Sequence, residues 1–162
     1  MIYLSSVQEG QTAENLFIET LKKHNWELVS NSTENENTCS HFDFTVKFNN
    51  KTYKVDVKDH KRLSRRSERL RDMYWIEWKN IFGGPGWIKG KSDYIAFKYF
   101  NQFKLYNRHE LLGFCLRKTD FSKIVTDINE ALYCIYTRKK DQISLIKISD
   151  LETEVKPIIL EI

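Results

Sequence analysis

HFDFTVKFNNKTYKVDVKD, residues 41–59, holds two runs of alternating polarity on either side of a pair of asparagines. In the first run Phe42, Phe44, Val46 and Phe48 share one face and Asp43, Thr45 and Lys47 the other, the period of two of a half-buried strand. Asn tolerates positive φ, so Asn49-Asn50 predicts a two-residue turn, after which Tyr53, Val55 and Val57 resume the apolar face. The pattern predicts a β-hairpin. Its register sets Asp43 directly opposite Asp56 on the face away from the apolar residues. Opposed Cβ atoms lie about 4.5–5.5 Å apart, where like charges repel, so something should compensate. A divalent cation would do so, because Mg²⁺ takes oxygen ligands from one or two carboxylates and fills its remaining positions with water. Lys58 points to the same face, where an ammonium can orient or help deprotonate a cation-bound water and offset charge on a phosphate. The plainer alternative is a solvent-exposed face on which Lys47 and Lys54 neutralise the two aspartates.

Toward the N-terminus, residues 13–25 carry apolar side chains at 13, 16, 17, 18 and 21, which predicts an amphipathic helix with Thr12 as its N-cap. Phe17, Ile18 and Leu21 centre the apolar stripe. Glu14 falls inside it, whereas Glu19 faces the opposite side. A carboxylate on a core-facing arc needs a partner. Either it is a first-turn acid favoured by the helix dipole, or it is a further ligand for a cation or its water. Residues 26–30 read as a short strand, and the polar stretch 31–40 has the composition of an exposed loop free to vary.

Beyond the hairpin the charge is uneven. Between residues 58 and 71 there are seven basic side chains (Lys58, Lys61, Arg62, Arg65, Arg66, Arg69, Arg71) against two acids. If residues 62–71 are helical, Arg62, Arg65, Arg66 and Arg69 share one side, and with Lys61 they offer a path for a phosphate backbone. The bland reading of the same run is a solvated charged helix or loop. Residues 74–82 read as a strand or buried segment, 83–90 (GGPGWIKG) as turn chemistry, and 93–97 (DYIAF) as a strand. A further strand at 104–108 runs into 110–116, and 132–137 and 143–148 are strand-like. The Gly-rich stretch lacks the GK[ST] of a P-loop. Trp75, Trp78 and Trp87 could stack on unpaired bases, but large aromatics more often fill cores. Glu77 is a secondary acid, and His41 and His60 are expected at the surface beside the motif.

A chain of 162 residues, 41% hydrophobic and 14% aromatic, suits a single domain, with a core over about 12–97 and a C-terminal extension over about 104–162. Three cysteines at wide spacing argue against a disulfide framework, and Cys39-x-His41 lacks the second pair of a zinc site. No signal-like start or long apolar run is present, so the expectation is a soluble, cytoplasmic protein with no membrane partner.

A helix with Glu14, then Asp43, then Asp56-Val57-Lys58, resembles the PD-(D/E)XK nuclease superfamily, which includes restriction endonucleases and Holliday-junction resolvases. Asp43 stands for the acid of the PD element and Asp56, Val57 and Lys58 for the (D/E)XK triplet, while Phe42 replaces the usual proline. The motif is short and degenerate, and it is the strand, turn and helix around it, over roughly residues 12–60, that carries the likeness. The resemblance implies an α/β fold: a restriction-endonuclease-like core, a mixed β-sheet with an N-terminal helix and a further helix packed on it. It implies Asp43, Asp56 and the Val57 carbonyl as ligands of Mg²⁺ or Mn²⁺, Glu14 as an additional acid, and Lys58 as organiser of the attacking water. The implied partner is nucleic acid, DNA ahead of RNA, and a homodimer is left open. The function expected is phosphodiester hydrolysis through a metal-activated water. A non-catalytic nucleic-acid-binding or partner-binding module on the same fold is the alternative.

Overall fold

The computed structural model describes residues 5–62 and 72–162. In chain order the elements are α1 (Ser6–Lys23), β1 (Glu27–Asn31), a π-helical turn (Glu36–Ser40), β2 (Phe44–Phe48), β3 (Lys51–Lys58) and β4 (Met73–Lys79). After a 3-10 turn (Trp87–Lys89) come β5 (Tyr94–Tyr99), β6 (Gln102–Asn107), α2 (Arg108–Lys118), β7 (Asp120–Val125), and a second 3-10 turn (Ile128–Glu130). The chain closes with β8 (Cys134–Arg138), β9 (Asp141–Lys147), α3 (Ile148–Glu154) and β10 (Ile158–Glu161). It divides into two compact units. One comprises Met1–His60, Lys91–Arg108 and Pro157–Ile162, the other Lys61–Gly90 and His109–Lys156.

The first unit is a mixed six-stranded sheet in the order β1-β2-β3-β5-β6-β10, with β3 and β5 parallel and the other neighbours antiparallel. Helix α1 packs on it. Ala13, Phe17 and Leu21, one turn apart, are buried with Val46, Val55, Ala96, Phe103 and Leu160, and the Phe17 ring lies 5.1 Å from that of Phe103. The helix starts earlier than its apolar periodicity indicates. Ser5 caps it through the Gln8 N–H, and the Gln8 side chain returns a bond to the Ser5 N–H, so Thr12 is an interior residue whose hydroxyl donates to the Gln8 carbonyl.

The hairpin forms with the expected turn. Asn49 and Asn50 have φ of 49° and 60°, and Phe44↔Val55 through Phe48↔Lys51 pair in the expected register. Both turn positions need the left-handed region, which Gly enters without strain and a β-branched residue does not. Asn50→Gly is therefore expected to hold or raise the melting temperature, and Asn50→Val to cost about 1–2 kcal/mol, read by thermal denaturation. Residues 31–40 form more than an open loop: the π-helical turn within them places the Ser40 carbonyl to accept the Lys91 N–H at 2.7 Å.

The second unit is a four-stranded sheet, β4-β9-β8-β7. Of residues 74–82 only the part up to Lys79 is strand, with Tyr74, Ile76 and Trp78 alternating inward, while Ile81 and Phe82 lie exposed in the turn that follows; the Trp78 indole N–H donates to Ser144 Oγ at 2.8 Å. Trp87 is buried as well, and Trp75 is half-buried against a cluster containing Val125, Cys134 and Leu145. Trp78 and Trp87 fill the interior of this unit, as large aromatics more often do. Strands β7 and β10 and helix α3 had no counterpart in the sequence expectations. Among the described residues no helix is long and apolar enough to cross a membrane.

Candidate active site

Strand β3 departs from the expected half-buried pattern where it carries chemistry. Val55, Asp56 and Val57 are all buried, so both faces of the strand are covered there. Asp56 is 2% exposed and Asp43 8%, which removes the solvent-exposed alternative. Lys54, one of the proposed neutralising lysines, instead holds its Nζ 4.7 Å from the centre of the Phe42 ring.

The regular ladder ends at Phe44↔Val55, one residue short of the two aspartates. Asp43 is pulled aside because its carbonyl accepts the Ser32 N–H at 2.7 Å. It stays tied to β3 by its own N–H, which donates to the Val55 carbonyl at 2.9 Å. Its carboxylate reaches across to accept the Val57 N–H on Oδ2 at 2.7 Å, and on Oδ1 it accepts the Asn37 side-chain amide at 2.6 Å. Both oxygens of Asp43 are thus held in place. Asn37 lies in the polar stretch expected to vary freely. Its role depends on the π-helical turn that carries it, which no local sequence signal announces.

Asp56 is placed differently. Lys58 Nζ donates to its Oδ1 at 2.7 Å, while Oδ2 is buried and finds no hydrogen-bond donor among the described residues. Burial drives the Asp56 carboxyl well above the ordinary aspartate range. Lys58 opposes that shift, and the nearby Asp43 carboxylate adds to it. Half-buried Glu14 is also raised, first by loss of solvent and then by Asp43, with Lys58 pulling the other way. The three acids and the lysine therefore share one electrostatic neighbourhood, assembled from α1, the residue that precedes β2, and β3.

An orphaned, buried carboxylate oxygen with a second carboxylate near it is the donor chemistry of a hard cation that takes few protein ligands and several waters. Among the described residues no group of three or more His, Cys, Asp or Glu side chains stands ready to hold a metal, so the fit rests on the aspartate pair. Of the flanking basic residues, Lys61 is exposed and Arg62 half-buried, while Arg65, Arg66 and Arg69 lie outside the described residues. His60 is not a surface residue. It is 4% exposed, with its ring 5.4 Å from that of Tyr99. His41 is half-buried with φ of 52°, and Glu77 belongs to the second unit. Cys39 is exposed, bonded through Sγ to Asn35 Oδ1.

No family model, curated protein or solved structure matches the chain.

Proposed function

We propose that this chain is a divalent-cation-dependent nuclease that hydrolyses phosphodiester bonds, of DNA ahead of RNA, on a restriction-endonuclease-like core. The observation that carries the reading is the buried Asp56 carboxylate, with Lys58 on one oxygen, no donor on the other among the described residues, and Asp43 beside it. Asp43 and Asp56 would hold Mg²⁺ or Mn²⁺, with the Val57 carbonyl and Glu14 as further oxygen donors. When bound, the cation supplies a lowered pKa for water and neutralises charge on the phosphate.

The remaining work falls to the chain itself. Asn37 and the Val57 N–H fix the Asp43 carboxylate, so that it need not reorganise when substrate arrives. The Lys58 side chain is one-quarter exposed, and its ammonium, bonded to Asp56, can donate a further N–H to a phosphate oxygen or to the attacking water. Burial around Asp56 lowers the local dielectric and strengthens each of these interactions.

The test is incubation of the purified protein with single-stranded, duplex and branched DNA and with RNA, in Mg²⁺, Mn²⁺ or EDTA, beside Asp56→Ala and Lys58→Ala. Cleavage is expected only with the cation, and Lys58→Ala is expected to lower it about 10²–10³-fold. Asn37→Ala should cost about ten-fold and raise the cation concentration needed for half-maximal rate. Cleavage that survives both Asp56→Ala and Lys58→Ala excludes this site. Binding without cleavage in every arm assigns the chain to the non-catalytic alternative.

A further inference from the structure

Beside Asp43 the first unit has a cleft of about 420 Å³, within the size range of small-ligand pockets. Helix α1 forms one wall through Gln11, Glu14 and Asn15, and residues 31–38 form the other. Among the described residues the lining is polar and acidic: amides, hydroxyls and the carboxylates Glu14, Glu34 and Asp43. In the absence of a cation these carboxylates disfavour a phosphate. The lining is rich in the acceptors and paired donor-acceptor groups that match the edge of a nucleobase. Gln11 Nε2 donates to Asn15 Oδ1 at 3.3 Å, which leaves Gln11 Oε1 as an acceptor and Asn15 Nδ2 as a donor on adjacent turns. Ile18 and Phe44 supply the apolar part of the lining against which a ring can rest.

We propose that this cleft is a subsite for one unpaired nucleobase bearing an exocyclic amine, adjacent to the phosphate undergoing hydrolysis. The proposal rests on the nuclease reading for the neighbouring phosphate, and the cleft's own chemistry selects the base. Adenine, cytosine and guanine each present an exocyclic amino group, one N–H of which suits the Gln11 amide oxygen while the other is left for a carboxylate. Uracil and thymine have no amino group and set a single N3–H between two carbonyls, which suits an acceptor-rich lining less well. A base inside a duplex cannot reach such a cleft, so the preferred substrate has an unpaired nucleotide at the cut.

The experiment is a titration of the ¹⁵N-labelled full chain with adenosine, cytidine or uridine at millimolar concentration in EDTA, following the side-chain amide resonances of Gln11, Asn15 and Asn37. Adenosine and cytidine are expected to shift the Gln11 and Asn15 signals. Uridine should bind about ten-fold more weakly, and Asn15→Ala or Glu34→Gln should weaken adenosine by a similar factor. Equal shifts for all three nucleosides, or none, overturn the subsite. Cleavage of nucleic acid without these shifts removes the subsite and leaves hydrolysis standing. The shifts in a protein that cleaves nothing keep the base-binding cleft and remove hydrolysis.

Discussion

Asp56→Asn is expected to abolish cleavage and, in the absence of divalent cations at neutral pH, to make the protein more stable. The carboxyl is 2% exposed and its pKa in the folded protein lies well above that of the unfolded chain. A carboxyl raised in this way contributes its full share of stability when protonated, below the unfolded value near 3.8. That share is lost as pH rises through the folded value. Above that window the folded protein carries an unfavourable buried charge that Lys58 only partly offsets, because loss of solvent is the largest influence and the Lys58 attraction comes second. Asn keeps the shape and carries no charge at any pH. The two proteins should therefore melt together in acid and diverge as pH rises, the variant gaining on the order of 1–3 kcal/mol, the scale of an uncompensated buried polar group. Adding Mg²⁺ should stabilise the parent protein and not the variant, since only the parent gains a ligand on folding. Cleavage should fall about a thousand-fold or more, the several kcal/mol that a cation supplies to a phosphoryl transition state. Thermal melts across pH with Mg²⁺ or EDTA read all of this. A variant less stable than its parent at neutral pH in EDTA would mean that the Lys58 pair, and not desolvation, governs Asp56.

Gly86→Ala is expected to unfold the second unit. A Cβ at this position would stand 2.1 Å from the Glu77 carbonyl oxygen and 2.8 Å from the Trp78 carbonyl carbon, both backbone atoms of β4. Rotamer changes cannot relieve contacts with backbone. Displacing residue 86 would break its N–H bond to the Trp78 carbonyl at 2.9 Å and disturb the Lys79↔Pro85 bridge, and would shift buried Trp87 and Ile88. Overpacking on this scale belongs among the rare substitutions that cost about 4 kcal/mol or more. Gly10→Ala is the control, because nothing lies within 4 Å of its added carbon and it sits inside α1. There Ala should stabilise by about 1 kcal/mol. Urea titrations followed by circular dichroism should show opposite signs, and a native-like Gly86→Ala would contradict the close strand contact.

The hairpin and its register from Phe44↔Val55 to Phe48↔Lys51 are legible because strand alternation and a two-asparagine turn are local signals, whereas the direct Asp43–Asp56 pairing that counting extends from them is not formed, the ladder ending one residue earlier. The half-buried position of Glu14 on α1 is legible for the same reason, since helical periodicity places it by angle. The signals that failed are of two kinds. Some were present and unused, as with Ser5 and Gln8, whose spacing is that of a capping box ahead of the periodic residues. Others are not local at all. The exposed strand β7 lacks a buried alternation, β10 takes its identity from β6 more than fifty residues earlier, and Asn37 matters only because a turn carries it to Asp43. The burial of Asp56 likewise depends on what covers the second face of β3, which alternation within the strand cannot express.

The unit that holds the candidate site is drawn from three separated stretches of chain, and its edge strand β10 comes from the last of them. During synthesis the hairpin with Asp43 and Asp56 is complete early, while the sheet it belongs to waits for Ile158–Glu161 before its β6 edge is paired. Until then β6 exposes unsatisfied backbone groups, a template for pairing with other chains. Removing the β10 strand, Ile158–Glu161, should thus appear first as aggregation of the newly made chain, ahead of any change in the carboxylate site itself.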